Sequence, residues 1–401
     1  MAFSFLKRPA GNKKLGIYVH IPFCKSKCEY CDFYSLGGSR DRHVTDDYLQ
    51  ALADHIKESG RLAPEYVVDT VYFGGGTPSF FGAENLEKIL DEIQRRFRLD
   101  ADAEITLEAN PDSVTNQSLK KLLRAGFNRI SIGVQSDDDE MLKKLGRPHT
   151  YEQARQAVQR AREVGFANVS VDLMYGLPNQ TLTGWKETVE NVLTLKPDHL
   201  SAYALRVEEG TPLWNYRDCA NLPDDDRQAD MYLAACRILR DYGYEHYEIS
   251  NFAKPGFASR HNLKYWNLDE YLGFGPSAAS DFGGKRFSAV ADLRGYIDGI
   301  RQHGTILREC DAIPMRERAG EYVMLRLRTS LGIEEKEYET RFLMPFKPLE
   351  TLLTRFQTRS YTEKLEDGRW VLTEQGWLVS NQIIITLNEA QERSTPLAKK
   401  R

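Results

Sequence analysis

Three cysteines stand within eight residues near the start of this chain: Cys24, Cys28 and Cys31, spaced C-x3-C-x2-C. Thiolates this close together can converge on one metal centre, and iron–sulfur clusters are held mainly by cysteine thiolates. Three thiolates would hold three irons of a four-iron cubane and leave the fourth iron open for a small molecule. A closed zinc site needs a fourth protein ligand, which His20 could supply, so a zinc site and plain buried thiols remain alternatives.

The other cysteines, Cys219, Cys236 and Cys310, are scattered singly along the chain. We interpret them as ordinary reduced thiols of a cytoplasmic protein. An oxygen-sensitive cluster fits the same compartment.

The spacing of the clustered cysteines resembles the signature of the radical S-adenosylmethionine (radical SAM) superfamily. The resemblance implies a [4Fe-4S] cluster whose open iron binds the amino and carboxylate groups of SAM. It also implies an electron donor to the cluster, because electron transfer from the cluster cleaves SAM to a 5′-deoxyadenosyl radical.

A glycine-rich segment, Gly74-Gly-Gly-Thr-Pro78, ends the second predicted strand. Glycines permit tight turns, and they also allow a ligand to approach the backbone closely. The segment lies one strand–helix unit after the cysteines. In that position it resembles the superfamily segment that binds the methionine amino group of SAM.

Polar side chains also stand at or after the ends of later predicted strands. Each could serve as a local cap or turn residue, but carboxylates at the ends of barrel strands are often catalytic or ligand-binding. Arg147 can pair bidentately with a carboxylate such as that of SAM, and Asp172 could accept ribose hydroxyls. The resemblance implies that SAM or the cluster is bordered by Tyr18, Tyr30, Gly75, Gly76, Thr77, Glu108, Gln135, Arg147, Asp172, Ala204 and Ala279.

Within the superfamily, residues 15 to about 388 resemble the oxygen-independent coproporphyrinogen III oxidase family. Two departures stand out. Phe33 occupies the position of a fourth cysteine in the oxidase motif, and only about fourteen residues precede the first strand, where the oxidase has a longer segment that contributes to its substrate site. Both departures resemble the haem chaperone branch of the family, whose members bind haem and hand it to acceptor proteins.

The motif His261-Asn-x-x-Tyr-Trp266 resembles one found in that branch. Neutral imidazole is a common axial ligand of haem iron. The neighbouring Tyr265, Trp266, Tyr271 and Phe274 could pack on a flat porphyrin. His261 is therefore the predicted haem ligand, with a purely structural histidine as the alternative.

Three functions from different classes follow. The first is a haem carrier and chaperone on a radical SAM scaffold, with haem and a haem-accepting protein as partners. The second is a porphyrinogen oxidase that decarboxylates propionates through a substrate radical, and the third is a zinc-stabilised barrel of unrelated function. We predict the first, with the oxidase as the alternative.

The elements that must position these residues are six short apolar runs that alternate with amphipathic helices. Such alternation predicts parallel strands with right-handed crossovers, and the resemblance selects a partial (β/α)6 barrel among the α/β folds. In barrels of this kind the chemistry lies at the carboxyl ends of the strands. The predicted strands are residues 15–22, 69–76, 104–111, 129–136, 168–176 and 199–207.

Domain boundaries follow from changes in this pattern. We predict an N-terminal tail (1–14), a barrel with an aromatic, glycine-rich cover segment over the site (15–309, the cover at 243–284), a C-terminal domain (310–388) and a disordered tail (389–401). The C-terminal domain should contain three helices, a hairpin with an Asp367-Gly368 turn, a short helix and a strand at 383–387. That order resembles a winged helix and the C-terminal domain of the oxidase-like family.

Composition excludes several other classes. A net charge of −4 over 401 residues, without a basic stripe, predicts no nucleic-acid partner. The chain contains no run of about 18 apolar residues, so we predict no membrane-spanning segment. The first fourteen residues lack the apolar core of a secretory signal.

Overall fold

The computed structural model describes residues 13–38, 41–219 and 221–397. Most of the predicted N-terminal tail and the end of the predicted C-terminal tail lie outside these ranges. No helix within the described ranges is both long enough and apolar enough to cross a bilayer.

The first half of the chain forms the predicted partial (β/α)6 barrel. Six strands pair in parallel in the order β1-β4-β5-β6-β7-β8, and they coincide with the six predicted runs to within a few residues at each end, apart from an earlier start of β5. The elements of this half are β1 (Lys13–Ile21), β2 (Phe23–Cys24), β3 (Leu36–Gly37), α1 (Arg42–Gly60), β4 (Tyr66–Gly75), α2 (Pro78–Phe81), α3 (Ala83–Arg96), β5 (Arg98–Ala109), α4 (Asn116–Ala125), β6 (Arg129–Gln135), α5 (Asp139–Lys144), α6 (Tyr151–Val164), β7 (Asn168–Tyr175), α7 (Leu182–Leu193) and β8 (His199–Ala204).

Local sequence explains where these helices begin and end. Helix α6 starts at a capping box in which the Thr150 hydroxyl accepts from the Gln153 amide and the Gln153 side chain accepts from the Thr150 amide. It ends at Gly165, whose φ of +109° suits glycine far better than other residues. The apolar faces of the helices pack on the strands and form one continuous core.

The segments that follow β8 extend this sheet at both edges. Strand β10 pairs antiparallel with β8, and β11 pairs in parallel with β1 and begins an antiparallel series to β14. The strands within residues 243–284, the predicted cover, therefore belong to the sheet and satisfy their backbone groups there, while Ile249, Ser250 and Asn262 of this stretch line the cavity described below. The elements are α8 (Asp225–Asp241), β9 (Glu245–Glu248), β10 (Asn251–Ala253), α9 (Arg260–Trp266), β11 (Tyr271–Phe274), β12 (Ala279–Phe282), β13 (Lys285–Ala289), α10 (Leu293–Arg301) and β14 (Leu307–Ala312).

The C-terminal domain contains the three predicted helices and the predicted hairpin with the Asp367-Gly368 turn. The predicted strand at 383–387 is wrong, because these residues lie inside a helix that buries Ile383, Ile384 and Leu387. That helix continues to Glu392, beyond the predicted domain end at residue 388. The elements are α11 (Met315–Arg326), α12 (Glu335–Phe342), α13 (Lys347–Gln357), β15 (Thr362–Lys364), β16 (Trp370–Leu372), α14 (Glu374–Leu378) and α15 (Ser380–Glu392).

The C-terminal domain packs against the β8 side of the barrel. The amide of Ile249 donates to the Arg328 carbonyl at 2.9 Å, and the amide of Ser330 donates to the Tyr247 carbonyl at 3.0 Å. These backbone bonds fix the domain beside the carboxyl ends of the parallel strands, where Trp377 reaches the rim of a large cavity.

Candidate metal and cofactor site

A cavity of about 790 Å³ opens at the carboxyl ends of the parallel strands. This volume lies within the usual range for small-molecule and cofactor sites. The last residues of β4 to β8 all line it, which are Gly75, Ala109, Gln135, Tyr175 and Ala204. All of the predicted cluster and SAM residues contact this cavity except Tyr18 and Ala279.

The three clustered cysteines lie on the segment that follows β1. Cys24 and Cys28 are buried and Cys31 is half-buried, and burial raises the pKa of the Cys24 and Cys31 thiols. The Thr77 hydroxyl donates to the Cys24 sulfur at 3.4 Å, which opposes that effect. The structure thus gathers three thiols at one wall of the cavity, as a three-thiolate cluster site requires.

The alternative of a single zinc ion does not fit these atoms. The three sulfurs do not all lie within 4.8 Å of one another, whereas ligands of one zinc ion must, since Zn–S bonds are about 2.3 Å long. Both nitrogens of His20 are also occupied, Nδ1 by the Tyr18 hydroxyl at 3.1 Å and Nε2 by the Tyr34 carbonyl at 2.8 Å. His20 is therefore not free to complete a Cys3His site. The donor set fits a cluster in which each thiolate binds a different iron.

The glycine-rich segment is hydrogen-bonded directly to the backbone around the first cysteine. The Gly76 amide donates to the Ile21 carbonyl at 2.8 Å, and the Thr77 amide donates to the Phe23 carbonyl at 2.8 Å. A Cβ on Gly76 would lie 2.9 Å from both carbonyl oxygens and 3.0 Å from the Cys24 sulfur. Glycine is needed here because no side-chain atom fits between the two segments.

Glu108 lies at the floor of the cavity. The Tyr72 hydroxyl donates to its Oε1 at 2.8 Å. Burial raises the pKa of Glu108 to about 7, although the Tyr72 bond favours the ionised form. A cationic group brought beside this carboxylate would stabilise the charge further, so Glu108 is suited to accept from an ammonium group.

Asp172, two strands further along the sheet on β7, is held in a similar way. The Ser131 hydroxyl donates to its Oδ1 at 3.0 Å, and burial raises the pKa of this carboxyl group. The buried guanidinium of Arg129 acts in the opposite direction. The carboxylates of Glu108 and Asp172 are therefore balanced in part by the buried guanidinium of Arg129.

Arg147 is held by partners of its own. Its Nη2 donates to the Asn110 side-chain oxygen at 2.6 Å and to the Gly133 carbonyl at 2.8 Å. Its Nη1 points at the Cys28 sulfur at 3.6 Å. Gln135, which follows an irregularity in β6, has a φ of +69°, uncommon for a residue other than glycine and typical of functional sites.

Three members of this network, Tyr72, Asn110 and Arg129, were not predicted. Asn110 follows Glu108 closely at the same strand end, so its position was a usable signal. The sequence also contained a signal for Arg129, because a charged residue at the start of an otherwise apolar strand is costly to bury and requires partners. It contained no signal for Tyr72, because an aromatic residue in a strand is usually a core residue.

Tyr18 and Ala279 lie outside the cavity. Tyr18 stacks on Tyr72 with ring centroids 6.3 Å apart, so it supports a lining residue instead of contacting a ligand. Ala279 is exposed at the start of β12, opposite Ser288 of β13. The direct SAM contact predicted for Ala279 does not match this position.

His261 also lies outside the cavity, and its surroundings contradict the predicted haem ligation. The ring is fully buried and stacks on Tyr72, with centroids 5.1 Å apart. Its Nδ1 is hydrogen-bonded to the Thr70 hydroxyl at 2.8 Å and its Nε2 to the Tyr265 hydroxyl at 2.7 Å. Neither nitrogen is available to an iron, so His261 has the structural role that was the alternative.

We expect His261→Ala to lower the free energy of unfolding by about 3 kcal/mol, because it empties a buried site and leaves two hydroxyls without a partner. The absorption spectrum of any bound haem should not change. Denaturant unfolding and a haem titration measure the two effects. His303→Ala is the control, since that side chain is almost fully exposed. A loss of haem absorption in His261→Ala at unchanged stability would restore the ligand assignment.

The outer part of the cavity has a different character. Its wall includes Phe33 and Tyr203, whose side chains are exposed, and Trp377 and Leu378 from the C-terminal domain. Arg206 lies at the same side. We refer to the part of the cavity lined by the cysteines, Glu108 and Asp172 as its inner half, and to the part lined by Phe33, Tyr203, Trp377 and Leu378 as its outer half.

Comparisons with known proteins agree with this arrangement. The model of the radical SAM superfamily matches residues 18–192, and that of the HemN C-terminal domain matches residues 313–379. The heme chaperone HemW of Bacillus subtilis (strain 168) is 36% identical over 91% of this chain and 97% of its own length. The heme chaperone HemW of Escherichia coli (strain K12) is 35% identical over 92% and 97%.

Among solved structures, the coproporphyrinogen III oxidase HemN from Escherichia coli, a radical SAM enzyme, has a TM-score of 0.82 to this chain at 25% identity. The match covers 94% of this chain and 90% of that one. The barrel and the C-terminal domain thus occur together in a known protein.

Proposed function

The chain belongs to the HemW family of heme chaperones within the radical SAM superfamily, and from this premise we propose that it binds haem and delivers it to an acceptor protein. The observation that carries the proposal is the sequence similarity to these chaperones over nearly the full length of both aligned chains. Phe33, in place of the oxidase family's fourth cysteine, supports the chaperone over the oxidase.

We propose that Cys24, Cys28 and Cys31 hold the [4Fe-4S] cluster that the superfamily implies. The cluster, when bound, supplies an electron-transfer centre with one open iron for SAM. The Thr77 hydroxyl donates to the Cys24 sulfur and opposes the rise in the pKa of that thiol, and the Arg147 guanidinium lies beside the Cys28 sulfur. An electron donor is then a further partner, and such a cluster suits a reducing, cytoplasmic setting.

For SAM we propose the inner half of the cavity. The backbone from Gly75 to Thr77, which lines the cavity, lets the ligand approach closely, and the Glu108 carboxylate accepts from its amino group. Asp172 accepts from its ribose, while Tyr30, Gln135 and Ala204 border it. The Arg147 guanidinium already has two protein partners, so it is not free to bind the SAM carboxylate bidentately. Its Nη1 lies beside the Cys28 sulfur and favours negative charge there.

For haem we propose the outer half of the cavity. Phe33, Tyr203 and Trp377 offer aromatic surface to a flat macrocycle. Arg206 and Arg328 offer cationic partners to its propionates. Burial lowers the pKa of Arg328, and the nearby charge of Arg206 lowers it further, so the two guanidiniums are neighbours. Two neighbouring guanidiniums suit a dianionic ligand.

The test uses the anaerobically reconstituted protein with a haem titration beside an assay containing SAM, reductant and coproporphyrinogen III. We expect haem to bind and to pass to an apo-acceptor, with no protoporphyrinogen IX formed. Phe33→Ala should raise the Kd for haem about tenfold, a loss of about 1.4 kcal/mol. Leu62→Ala, at a residue of similar exposure outside the cavity, is the control and should not change it.

Formation of protoporphyrinogen IX over multiple turnovers would overturn the chaperone and favour the oxidase. Absence of haem binding would contradict both the carrier role and the proposed haem site. Equal haem affinity in the Phe33 and Leu62 variants would remove the site but leave the carrier role standing.

A further inference from the structure

A second group of metal-ligating side chains lies behind the outer wall of the cavity. Cys236 of α8, His246 of β9 and Glu374 of α14 each offer a ligand atom, and these atoms all lie within 4.8 Å of one another. No other trio of His, Cys, Asp or Glu in the described ranges meets this condition. No local motif indicates this group, because Cys236 is an isolated thiol in the sequence and Glu374 lies far along the chain.

The geometry of the pair from the barrel matches a bound zinc ion. The Cys236 sulfur and the His246 Nδ1 are 3.7 Å apart. A tetrahedral ion with a Zn–S bond of about 2.3 Å and a Zn–N bond of about 2.0–2.1 Å separates the two ligand atoms by about 3.6 Å. The two side chains therefore already stand at the separation that such an ion requires.

His246 is also oriented for this role. Its ring stacks on that of Phe252, with centroids 4.0 Å apart, and packs edge-on against Trp377, with centroids 4.3 Å apart. These contacts fix the plane of the imidazole. Its Nε2 lies 3.4 Å from the Ile249 carbonyl. A histidine that donates one ring N–H to a backbone carbonyl presents the lone pair of its other nitrogen to a metal. Here that other nitrogen is Nδ1, which faces Cys236.

Glu374 brings the third ligand atom from the C-terminal domain. Its Oε1 is paired with the Arg240 guanidinium. A carboxylate has a second oxygen, so Glu374 can bind an ion and keep a charge partner. Arg240 then acts as the outer partner that orients a ligating carboxylate.

We propose that Cys236, His246 and Glu374 bind one divalent ion of the zinc class, with the fourth position open to water. The Cys236 thiol loses its proton to solvent on binding, as thiolate ligation requires. The ion joins the barrel to the C-terminal domain directly behind Tyr232, Ile249 and Trp377, which line the cavity. Zinc thus stabilises the contact between the two domains behind the cavity wall, independently of the cluster and of any haem.

The test uses the full chain with its iron–sulfur cluster loaded, so that the cluster cysteines are already occupied. Anaerobic titration with Zn²⁺ against a chromophoric chelator should give one zinc per chain in addition to the iron. Co²⁺ in place of zinc should give a thiolate-to-cobalt absorption band. Zinc should also raise the Tm of the cluster-loaded protein.

Cys236→Ala should remove the cobalt band and weaken zinc binding by more than the roughly 10–100-fold typical of losing an outer partner. Glu374→Gln keeps the shape of the side chain and should weaken zinc binding without unfolding the protein. Cys310→Ala, which removes an exposed cysteine, is the control and should bind zinc normally. Iron content reports whether the cluster site is intact in each variant.

Zinc affinity that is the same in Cys236→Ala, Glu374→Gln and Cys310→Ala would overturn the proposal, as would a protein that leaves all zinc on the chelator. Because haem binding is measured separately, either failure leaves the proposed chaperone function untouched.

Discussion

Replacing Cys28 by Ala is expected to abolish the iron–sulfur cluster. Three thiolates are the minimum that anchors three irons of a cubane while one iron stays open, so each cysteine holds an iron that no neighbour can take over. Cys28 is buried, and the nearest cation, the Arg147 Nη1, lies 3.6 Å from its sulfur. Its loss removes an iron ligand and leaves a guanidinium edge without its partner.

Anaerobic reconstitution should give about four irons and four sulfides per wild-type chain and only background amounts in Cys28→Ala. The visible absorption of the cluster should disappear with them. Cys310→Ala is the matched control, because it also removes one thiol, at an exposed position on β14. A full iron and sulfide content in Cys28→Ala would exclude the three-cysteine site.

The second large effect is expected from Gly76→Ala, which adds a single methyl group. That carbon would lie 2.9 Å from the carbonyl oxygens of Ile21 and Phe23 and 3.0 Å from the Cys24 sulfur. Two of these three atoms belong to the backbone and cannot rotate away, so the glycine-rich segment must separate from the cysteine segment. Overpacking of this kind costs about 1–3 kcal/mol.

Separation of the two segments breaks the hydrogen bond from the Gly76 amide to Ile21 and displaces Cys24. We therefore expect Gly76→Ala to fold with reduced stability, to bind several times less iron, and to lose the spectral response of the remaining cluster to SAM. Gly304→Ala is the control, since a methyl group there meets nothing closer than 3.6 Å. Wild-type iron content and SAM response in Gly76→Ala would show that the close approach is not required.

The proposed haem site is built differently from the proposed cluster site. The residues proposed for the cluster and SAM all belong to the barrel half of the chain, whereas the outer wall of the cavity combines Tyr203 of the barrel with Trp377 and Leu378 of the C-terminal domain. A ligand held between two domains can be released by a small change in their contact. This division suits a protein that retains its cluster but gives up its haem.

Much of the site was determined by the sequence itself. The spacing of Cys24, Cys28 and Cys31 is local, so their convergence does not depend on distant parts of the chain. The alternation of apolar strands and amphipathic helices indicated parallel strands, whose carboxyl ends must share one edge, and the family resemblance selected the barrel. Polar residues near the carboxyl ends of different barrel strands, such as Glu108 and Asp172, were therefore predictable as parts of one site.

The tertiary structure alone decided the remainder, because it depends on contacts between distant residues. His261 became a buried structural residue only because Thr70 and Tyr265 occupy its two nitrogens. The apolar run at 383–387 is compatible with a strand or a helix, and packing of α15 on the C-terminal domain selected the helix. Cys236, His246 and Glu374 meet only because the C-terminal domain docks on the barrel, and no local spacing can encode such a meeting.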